Sequence, residues 1–186
     1  KRLSMIVTRD TQNMDEERII SSTVESIAEN TNDGIVAPLF YLMLGGPVLT
    51  YFYKAVNTLD SMIGYRNNKY DEFGRSSAKM DDILNFIPAR ITGLLICLAG
   101  FLTGKSFRKG FLTILRSCGK HPSPNAYVPE AAMAGVLGIQ FGGILSYGGK
   151  LYQRPFIGEK VREISIDDIR QALKTVSYTH LRAHET

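Results

Sequence analysis

Four groups of polar and ionisable residues lie directly beside uncharged, apolar stretches of this 186-residue chain. Ionisable groups next to membrane-embedded segments are costly and usually functional. Carboxylates and amides suit magnesium, a hard cation that takes oxygen ligands and bridges to phosphates, and basic side chains neutralise phosphate oxygens. The groups therefore predict a phosphate-handling site at a membrane surface. Their members are Glu25, Glu29, Asn30 and Asp33; Lys54, Asn57 and Asp60; Asp81, Asp82, Asn85 and Arg90; and His121, Ser123, Asn125 and Glu130.

Each group taken alone also has a purely structural interpretation. Glu25 and Glu29 are four residues apart and would share one solvated helix face. Asp81 and Asp82 suit the first turn of a helix, where the dipole favours acids. His121, in the proline-rich segment HPSPNAYVPE, either orders that loop or acts as a general acid or base. The repetition of such groups beside apolar stretches favours the functional interpretation.

Familiar nucleotide and metal motifs do not explain these residues. A phosphate-binding loop at Gly104-Lys105-Ser106 fails on spacing, because its upstream glycine would fall at Ala99, one residue before Gly100. The two cysteines, Cys97 and Cys118, show neither metal-ligand spacing nor a disulfide framework, which predicts structural roles for both. Any nucleotide must therefore bind through another arrangement.

The elements that must position these groups are long and uncharged. Residues 35–53 and 131–149 carry no charge, and residues 83–103 carry only Arg90. About twenty apolar residues are needed to cross a bilayer. A mean hydropathy of -0.05 is compatible with a soluble domain, but it averages over apolar blocks and densely charged loops. This segregation predicts a membrane protein.

The first apolar block is not a simple span. Pro38 and the Gly45-Gly46-Pro47 triplet divide it, which predicts a broken or re-entrant helix, tolerated at membrane depth where protein or a watery cavity covers it. If every apolar block crossed the membrane, Asp33 and Asp60 would lie on opposite faces. A re-entrant block would bring them to one side. We therefore predict an all-α, multi-pass integral membrane protein with broken or re-entrant helices around a polar cavity.

Other segments carry weaker signals. Apolar spacing predicts a helix over residues 15–29 and an amphipathic helix over residues 164–173. Residues 105–120 contain five basic residues and no acid, which predicts a cytoplasmic location. In the last apolar block, small residues recur every four positions, a spacing typical of a membrane helix-packing seam rather than of a ligand site. These residues are Ala134, Gly138 and Gly142.

The two ends of the chain also carry expectations. The chain opens at Lys1 without a methionine or a signal-peptide pattern, so we expect a fragment that lacks both ends. Residues 1–175 are expected to form part of one membrane-embedded domain. The final residues 176–186, VSYTHLRAHET, break the preceding pattern and are expected to be a non-native tail. This leaves His121 as the only histidine considered for the site.

Several long motifs occur in an order that resembles the adenosylcobinamide-phosphate synthases of cobalamin biosynthesis, the CobD/CbiB family. The resemblance covers nearly all of the chain before its last residues. The motifs are TRDT (8–11), ESIAENTNDGIVAPLF (25–40), YKAVNTLDSMIGY (53–65), FGRSSAKMDDILNFIPARIT (73–92) and HPSPNAYVPEAAMAGVLGIQFGG (121–143).

The resemblance implies a multi-pass inner-membrane ligase that forms a carbon–nitrogen bond. Such an enzyme joins adenosylcobyric acid to (R)-1-amino-2-propanol, or to its O-phosphate, and it consumes ATP and requires magnesium. The implied partners are the corrinoid, the amine, the lipid bilayer and other enzymes of the cobalamin pathway, with no nucleic acid. Which form of the amine is used is left open.

Within this resemblance, residue types suggest roles. Asp33 and Asp60 are expected to bind magnesium, and Lys54 and Arg90 to bind phosphate. His121 or Glu130 would serve as the base for the attacking amine. The expected catalytic residues are Glu25, Glu29, Asp33, Asp60, His121 and Glu130. The expected substrate-binding residues are Arg9, Asn30, Lys54, Asn57, Asp81, Asp82, Asn85, Arg90 and Asn125.

Two alternatives remain compatible with the residues. One is a magnesium-dependent membrane transferase that acts on a phosphorylated lipid or alcohol, which needs the same carboxylates and cations but has no affinity for corrinoids. The other is a non-catalytic membrane transport or signalling subunit, in which the polar groups line a pathway or a partner interface.

Overall fold

The fold is mostly helical, with one β-hairpin. A computed structural model describes residues 15–63, 71–119, 123–147 and 150–181. The predicted helical character is confirmed, but the all-α expectation is corrected by the hairpin. The elements are α1 (Glu16–Thr31), a π-helical turn (Asn32–Val36), α2 (Ala37–Ile63), α3 (Asp71–Leu102), α4 (Phe107–Ser117), α5 (Tyr127–Leu137), β1 (Phe141–Tyr147), β2 (Lys150–Ile157) and α6 (Asp167–Leu181).

Helix α2 contains the break that the sequence predicts. Gly45 and Gly46 have non-helical dihedral angles, with a positive φ of 64° at Gly46. The rings of Tyr41 and Tyr53 nevertheless stack with centroids 5.1 Å apart. A straight helix would separate residues twelve positions apart by about 18 Å. The chain therefore reverses, and residues 37–44 and 47–63 form the two arms of what we call the α2 hairpin.

Other boundaries differ modestly from the predictions. Pro38 does not break the chain, since it lies in the first turn of α2, where proline is tolerated. Helix α1 ends at Thr31, close to the predicted end near Asn30, and then continues into the π-helical turn. Helix α6 begins later than predicted and extends to Leu181, through part of the expected tail.

The last apolar block does not form one long helix. Helix α5 ends at Leu137, because Gly138 adopts a left-handed conformation with φ 70° and its N–H donates to Ala134 O. The chain then enters β1, which pairs antiparallel with β2. The predicted helical seam is therefore wrong, since Gly138 and Gly142 lie beyond the helix. A block rich in glycine instead permits a turn and a hairpin.

Close helix packing does occur, at a different pair of small residues. A Cβ atom added to Gly135 of α5 would lie 2.8 Å from Gly110 Cα and 2.6 Å from Lys109 O of α4. The two helices therefore touch backbone to backbone at this point. Position 135 therefore requires glycine, because any side chain there would collide with the backbone of α4.

The core surrounds α5, all of whose residues are buried. Helices α1, α3, α4 and α6 pack around it. Burial of apolar surface at about 25 cal/mol per Å² is the main stabilising term for such a core. Cys97 belongs to this core, whereas Cys118 is exposed. The fully buried apolar side chains include Val24, Ala28, Ile96, Ala131, Met133 and Ile139.

An ion pair between a buried carboxylate and a partly exposed arginine fixes α6 to the end of α5. Arg162 donates two hydrogen bonds to the Asp168 carboxylate and one, of 3.2 Å, to Leu137 O. Burial alone would raise the pKa of Asp168, but hydrogen bonds from Arg162 and from the Ser165 N–H lower it below its ordinary value. The pair serves the fold, since it caps the end of one helix and the start of another.

Two helical segments are long and apolar enough to cross a membrane, Glu16–Met62 and Gly74–Leu102. The first of them contains the reversal of the α2 hairpin. Large apolar side chains near its tip face outward, with Met43 80% exposed and Val48 77% exposed. Length and composition thus favour a membrane protein, although the first segment is not one straight rod.

Candidate functional site

A hydrogen-bonded network of polar side chains lies where the π-helical turn, the second arm of the α2 hairpin and α3 meet. We call it the amide–carboxylate network. Its positions come from all three elements, which is why it forms only when the α2 hairpin folds back. The residues are Asn32, Asp33, Tyr53, Lys54, Asn57, Asp81, Asn85 and Thr92.

Asn85 is the centre of the network and is 2% exposed. Its Oδ1 accepts hydrogen bonds from Asn32 Nδ2 at 2.8 Å and from the Tyr53 hydroxyl at 3.0 Å. Its Nδ2 donates to Asp81 Oδ2 at 2.9 Å. The Thr92 hydroxyl lies 2.9 Å from Asn32 Oδ1 and holds the second amide. Each amide therefore has a fixed orientation in a buried setting.

Lys54 brings a cation to the same place. Its Nζ donates to Asp33 O at 3.3 Å and to Asn57 Oδ1 at 3.1 Å. Asn57 Nδ2 in turn donates to Asp81 Oδ1 at 3.2 Å. A straight helix would place Lys54 about 31 Å from Asp33. The reversal in α2 therefore assembles this part of the site.

The network carries more acid than base. Asp60 lies close enough to Asp81, Asp82 and Asp33 for their charges to act on its carboxyl group. Lys54 is the basic side chain bonded to the network among the described residues. An excess of carboxylate at a partly open edge suits a bound cation, because buried charges require partners.

The donor chemistry fits magnesium in part. Among the described residues, no group of three or more His, Cys, Asp and Glu side chains is arranged to hold a metal ion. Magnesium, however, often takes only one or two protein carboxylates and completes its shell with water and phosphate oxygens. Asp33 and Asp60 could supply such carboxylates, with Asp81 beside them. Their role as metal ligands stays a prediction.

A local backbone feature presents Asn32 and Asp33 to this network. Residues Asn32–Val36 form a π-helical turn between α1 and α2. Such turns insert one extra residue into a helix and recur at functional sites. Here the turn directs Asn32 Nδ2 to both Asp33 Oδ1, at 2.7 Å, and Asn85 Oδ1.

A second group of ionisable residues lies deeper, between α1, α5 and β2, and we call it the glutamate–arginine cluster. Arg154 Nη1 donates to Glu25 Oε2 at 2.9 Å, and Nη2 lies 3.2 Å from both carboxylate oxygens of Glu130. The side chains of Glu25 and Glu130 are 3% and 0% exposed, and that of Arg154 is 16% exposed. Glu29 also contacts the Glu130 carboxyl group.

Among the residues that the structure describes, the cluster contains three carboxyl groups and one guanidinium group. Burial raises the pKa of Glu130, and the negative charge of Glu25 raises it further, while Arg154 lowers it. The net effect is a raised pKa. A buried carboxyl group of this kind can accept or donate a proton at a pH where an exposed glutamate stays ionised.

The two groups of residues are neighbours along α1. Glu25, Glu29 and Asp33 follow one another at intervals of four residues, so they lie along one side of the helical path. Glu29 contacts Glu130 and lies within electrostatic range of Asp33. These three carboxylates therefore connect the glutamate–arginine cluster to the amide–carboxylate network.

A third polar contact joins α3 to the loop before α5. Arg90 donates to Asn125 Oδ1, to Phe86 O at 2.9 Å and to Pro124 O at 3.2 Å. Asn125 Nδ2 donates to Asp82 O at 2.7 Å. Because protein acceptors already engage the Arg90 guanidinium, this geometry favours a positioning role. Its use in phosphate binding stays a prediction.

The structure thus divides the predicted site residues into groups. It brings together Asp33, Lys54, Asn57, Asp81 and Asn85, with Asp60 beside them. It also brings together Glu25, Glu29 and Glu130, and separately Asp82, Arg90 and Asn125. Asn30 stands apart, since it is exposed and its Nδ2 donates to Ser26 O in its own helix. Arg9 and His121 lie outside the described residues.

Sequence reasoning missed several members of the site. Arg154 is absent from every predicted group, although it is the only charged residue between Lys150 and Glu159. An isolated arginine in an apolar segment is a signal of a buried partner, because arginine is rarely buried unpaired. Tyr53 and Thr92 carried no such signal, since hydroxyl residues occur throughout apolar helices.

The fold and the site together define a class of protein. It is mostly helical, it has apolar helices long enough to cross a membrane, and several helices contribute carboxylates to a buried site. Comparison with known proteins is more specific. The family model described as CobD/Cbib protein matches residues 1–176. The chain belongs to this family, which confirms the resemblance found in its motifs.

Curated relatives agree with the family. The cobalamin biosynthesis protein CobD of Clostridium perfringens (strain 13 / Type A) is 50% identical over 169 residues, covering 91% of this chain and 54% of the relative. The CobD protein of Pelobacter propionicus (strain DSM 2379 / NBRC 103807 / OttBd1) is 48% identical over 180 residues, covering 97% and 56%. The chain therefore spans about half the length of the curated relatives it matches. No solved structure matches the chain.

Proposed function

We propose that the full-length protein is a cobalamin-biosynthetic ligase. It joins adenosylcobyric acid to (R)-1-amino-2-propanol, or to its O-phosphate, through an amide bond, and it consumes ATP. Membership in the CobD/CbiB family, whose curated relatives are named cobalamin biosynthesis proteins, supports the pathway. The observation that carries the chemistry is the row of carboxylates Glu25, Glu29 and Asp33 along α1 and the π-helical turn, which links an acid-rich, lysine-containing network to a buried proton-binding cluster.

Amide formation from a carboxylate requires activation, because the leaving group would otherwise be oxide. In the proposed route a carboxylate oxygen of the corrinoid attacks the terminal phosphorus of ATP, an O–P bond forms and ADP leaves. The amine nitrogen then attacks the acyl carbon, the C–N bond forms, inorganic phosphate leaves, and the nitrogen loses a proton to a base. Magnesium bound with ATP would neutralise charge on the phosphate oxygens.

The residues of the chain fit separate parts of this route. Asp33 and Asp60 would hold the metal, and the Lys54 ammonium would face phosphate oxygens from the same network. Glu130, with its raised pKa, would accept the proton of the attacking amine directly or through Glu29. The protein thereby separates the phosphate-handling residues from the proton-handling residues along α1.

We also propose that the protein is a multi-pass protein of the inner membrane in which the α2 hairpin enters the bilayer without crossing it. The first arm has eight residues, about 12 Å of helix, whereas the hydrocarbon core is about 30 Å thick. Residues 35–53 carry no charge that would oppose insertion. The hairpin would place the amide–carboxylate network at its base, near one membrane surface.

The assay uses the full-length protein in membranes with adenosylcobyric acid, aminopropanol phosphate, ATP and magnesium, followed by mass spectrometry for the amide product. Product that requires both ATP and magnesium would establish the function. Corrinoid carboxylate labelled with ¹⁸O should transfer label to the released phosphate; no transfer would refute the acyl phosphate route. Absence of product together with absence of corrinoid binding would refute the proposal and favour the lipid transferase or the non-catalytic subunit.

A further inference from the structure

Helix α4 carries an apolar stripe beside basic side chains on its outer surface. Phe107, Phe111 and Leu115 recur every four residues and are 38%, 37% and 58% exposed. The two phenylalanine rings stack with centroids 6.1 Å apart. A different side of the helix packs on the core through Gly110 and Ser117, which are buried. The stripe is therefore not part of the core formed by the described residues.

The charge of this region has one sign. From residue 83 to residue 129 the chain contains six basic residues and no acid. Of those on or next to α4, Arg116 pairs with Glu159. Lys105, Arg108 and Lys109 have no ion-pair partner among the residues that the structure describes. Arg108 directly adjoins the apolar stripe on the helix surface.

We propose that the outer face of α4 lies in the headgroup layer of an anionic membrane leaflet. Phe107, Phe111 and Leu115 would reach the acyl boundary, and Lys105, Arg108 and Lys109 would pair with lipid phosphates. A short helix with an apolar stripe and a basic side is suited to this interface. Charge complementarity selects anionic lipid, because a zwitterionic headgroup offers no net attraction to three cations.

This inference is independent of the proposed reaction, and its test needs no substrate. The full-length protein, with its other cysteines replaced, receives Leu115→Cys labelled with bimane and is reconstituted in nanodiscs. Nitroxide-bearing lipids then report contact with the acyl boundary by quenching. The matched control is Ile166→Cys, an apolar residue that is 63% exposed in the segment before α6.

We expect quenching at position 115 in discs that contain phosphatidylglycerol, weaker quenching in pure phosphatidylcholine, and little quenching at position 166. Each basic side chain near an anionic surface strengthens attraction about fivefold. The triple variant Lys105→Gln, Arg108→Gln and Lys109→Gln should therefore lose most of the preference for anionic lipid. In the labelled protein that keeps all three basic residues, raising the ionic strength should produce the same loss, because salt screens exposed charges.

Three results would overturn the inference. Equal quenching in both lipids would show apolar insertion without headgroup recognition. A label that is shielded from water but not quenched would show that protein covers the stripe. A signal that responds to ATP or inorganic phosphate, but not to lipid charge, would identify a soluble phosphate site instead.

Discussion

At the scale of single residues, Asn85 decides whether the amide–carboxylate network holds together. Asn85→Leu keeps the approximate size of the side chain but leaves the Tyr53 hydroxyl, the Asn32 amide and the Asp81 carboxylate each without one partner. Each unsatisfied buried polar group costs about 1–3 kcal/mol. We expect a loss of more than about 2 kcal/mol in the free energy of unfolding, measured by denaturation in detergent.

The control for this substitution is Asn30→Leu. Asn30, in the last turn of α1, is likewise an asparagine in a helix, but it is exposed and its Nδ2 donates to Ser26 O within that helix. Its replacement should change the free energy of unfolding by about 0.5 kcal/mol or less. Equal effects of the two substitutions would show that Asn85 is not the centre of a stabilising network.

A substitution at Asp33 can test the proposed reaction without disturbing the fold. Asp33→Asn keeps the size of the side chain and an oxygen that accepts from Asn32, but it removes the charge that a metal requires. We expect turnover in the amide assay to fall by about a hundredfold or more, while the protein still inserts in membranes. Asp60→Asn should behave alike, and wild-type rates in either variant would remove that residue from the site.

Arg154 neutralises two buried glutamates, so its loss should depend on pH. Arg154→Met leaves Glu25 and Glu130 without their shared partner, which costs about 3–5 kcal/mol for a buried pair. The pKa of Glu130 is already raised in the folded protein, so its stabilising contribution is fullest below the ordinary value of 4.5 and is lost as pH rises. Removing the arginine raises that pKa further.

The destabilisation by Arg154→Met should therefore be smaller near about pH 5 than near about pH 8. The measurement is the midpoint of thermal unfolding for both proteins across this range. Adding Glu130→Gln should recover part of the loss at the higher pH, because it removes a buried negative charge that Arg154 no longer neutralises. A loss that does not vary with pH would mean that Arg154 acts through packing alone.

At the scale of elements, the reversal in α2 depends on Gly46. Its φ of 64° and ψ of -159° lie in a region that only glycine adopts readily, and an added Cβ would meet nothing within 4 Å. Gly46→Ala should therefore cost about 1–3 kcal/mol through backbone strain alone. Thermal unfolding measures this loss of stability. The distribution of distances between spin labels on the two arms of the α2 hairpin should also broaden.

Gly34 provides a matched control for the same atom change. An added Cβ there also meets nothing within 4 Å, but Gly34 lies in the π-helical turn without a positive φ. Gly34→Ala should be neutral or slightly stabilising, because glycine is unfavourable in helical segments. A greater loss for Gly34→Ala than for Gly46→Ala would contradict the assignment of the reversal to Gly46.

The elements also show which features the sequence can predict. The break in α2 was predictable, because Gly-Gly-Pro is a strong local signal that overrides helical propensity. The hairpin of β1 and β2 was not, because an uncharged block of about nineteen residues fits a membrane helix by length alone. Gly138 ends α5 through a conformation that spacing of small residues does not reveal.

At the scale of the whole molecule, the sequence predicts which residues belong to the candidate site better than it predicts how those residues contact each other. Polar and charged residues beside apolar runs included Asp33, Lys54, Asn57, Asp81 and Asn85, all of which the structure brings together. It did not show that Arg90 binds carbonyl oxygens, or that Arg154 crosses from β2 to two helices. Residue type is local information, whereas these contacts depend on how distant segments pack.

The position of the α2 hairpin in the membrane can be tested by the sidedness of its two ends. Asn30 is exposed just before it, and Met62 is 74% exposed near its end. If the hairpin enters and returns, single cysteines at both positions in the full-length protein should react with a membrane-impermeant maleimide from the same side. A straight span would place them on opposite sides. Opposite labelling would also separate Asp33 from Asn57, and so would refute the site built from their contacts with Lys54.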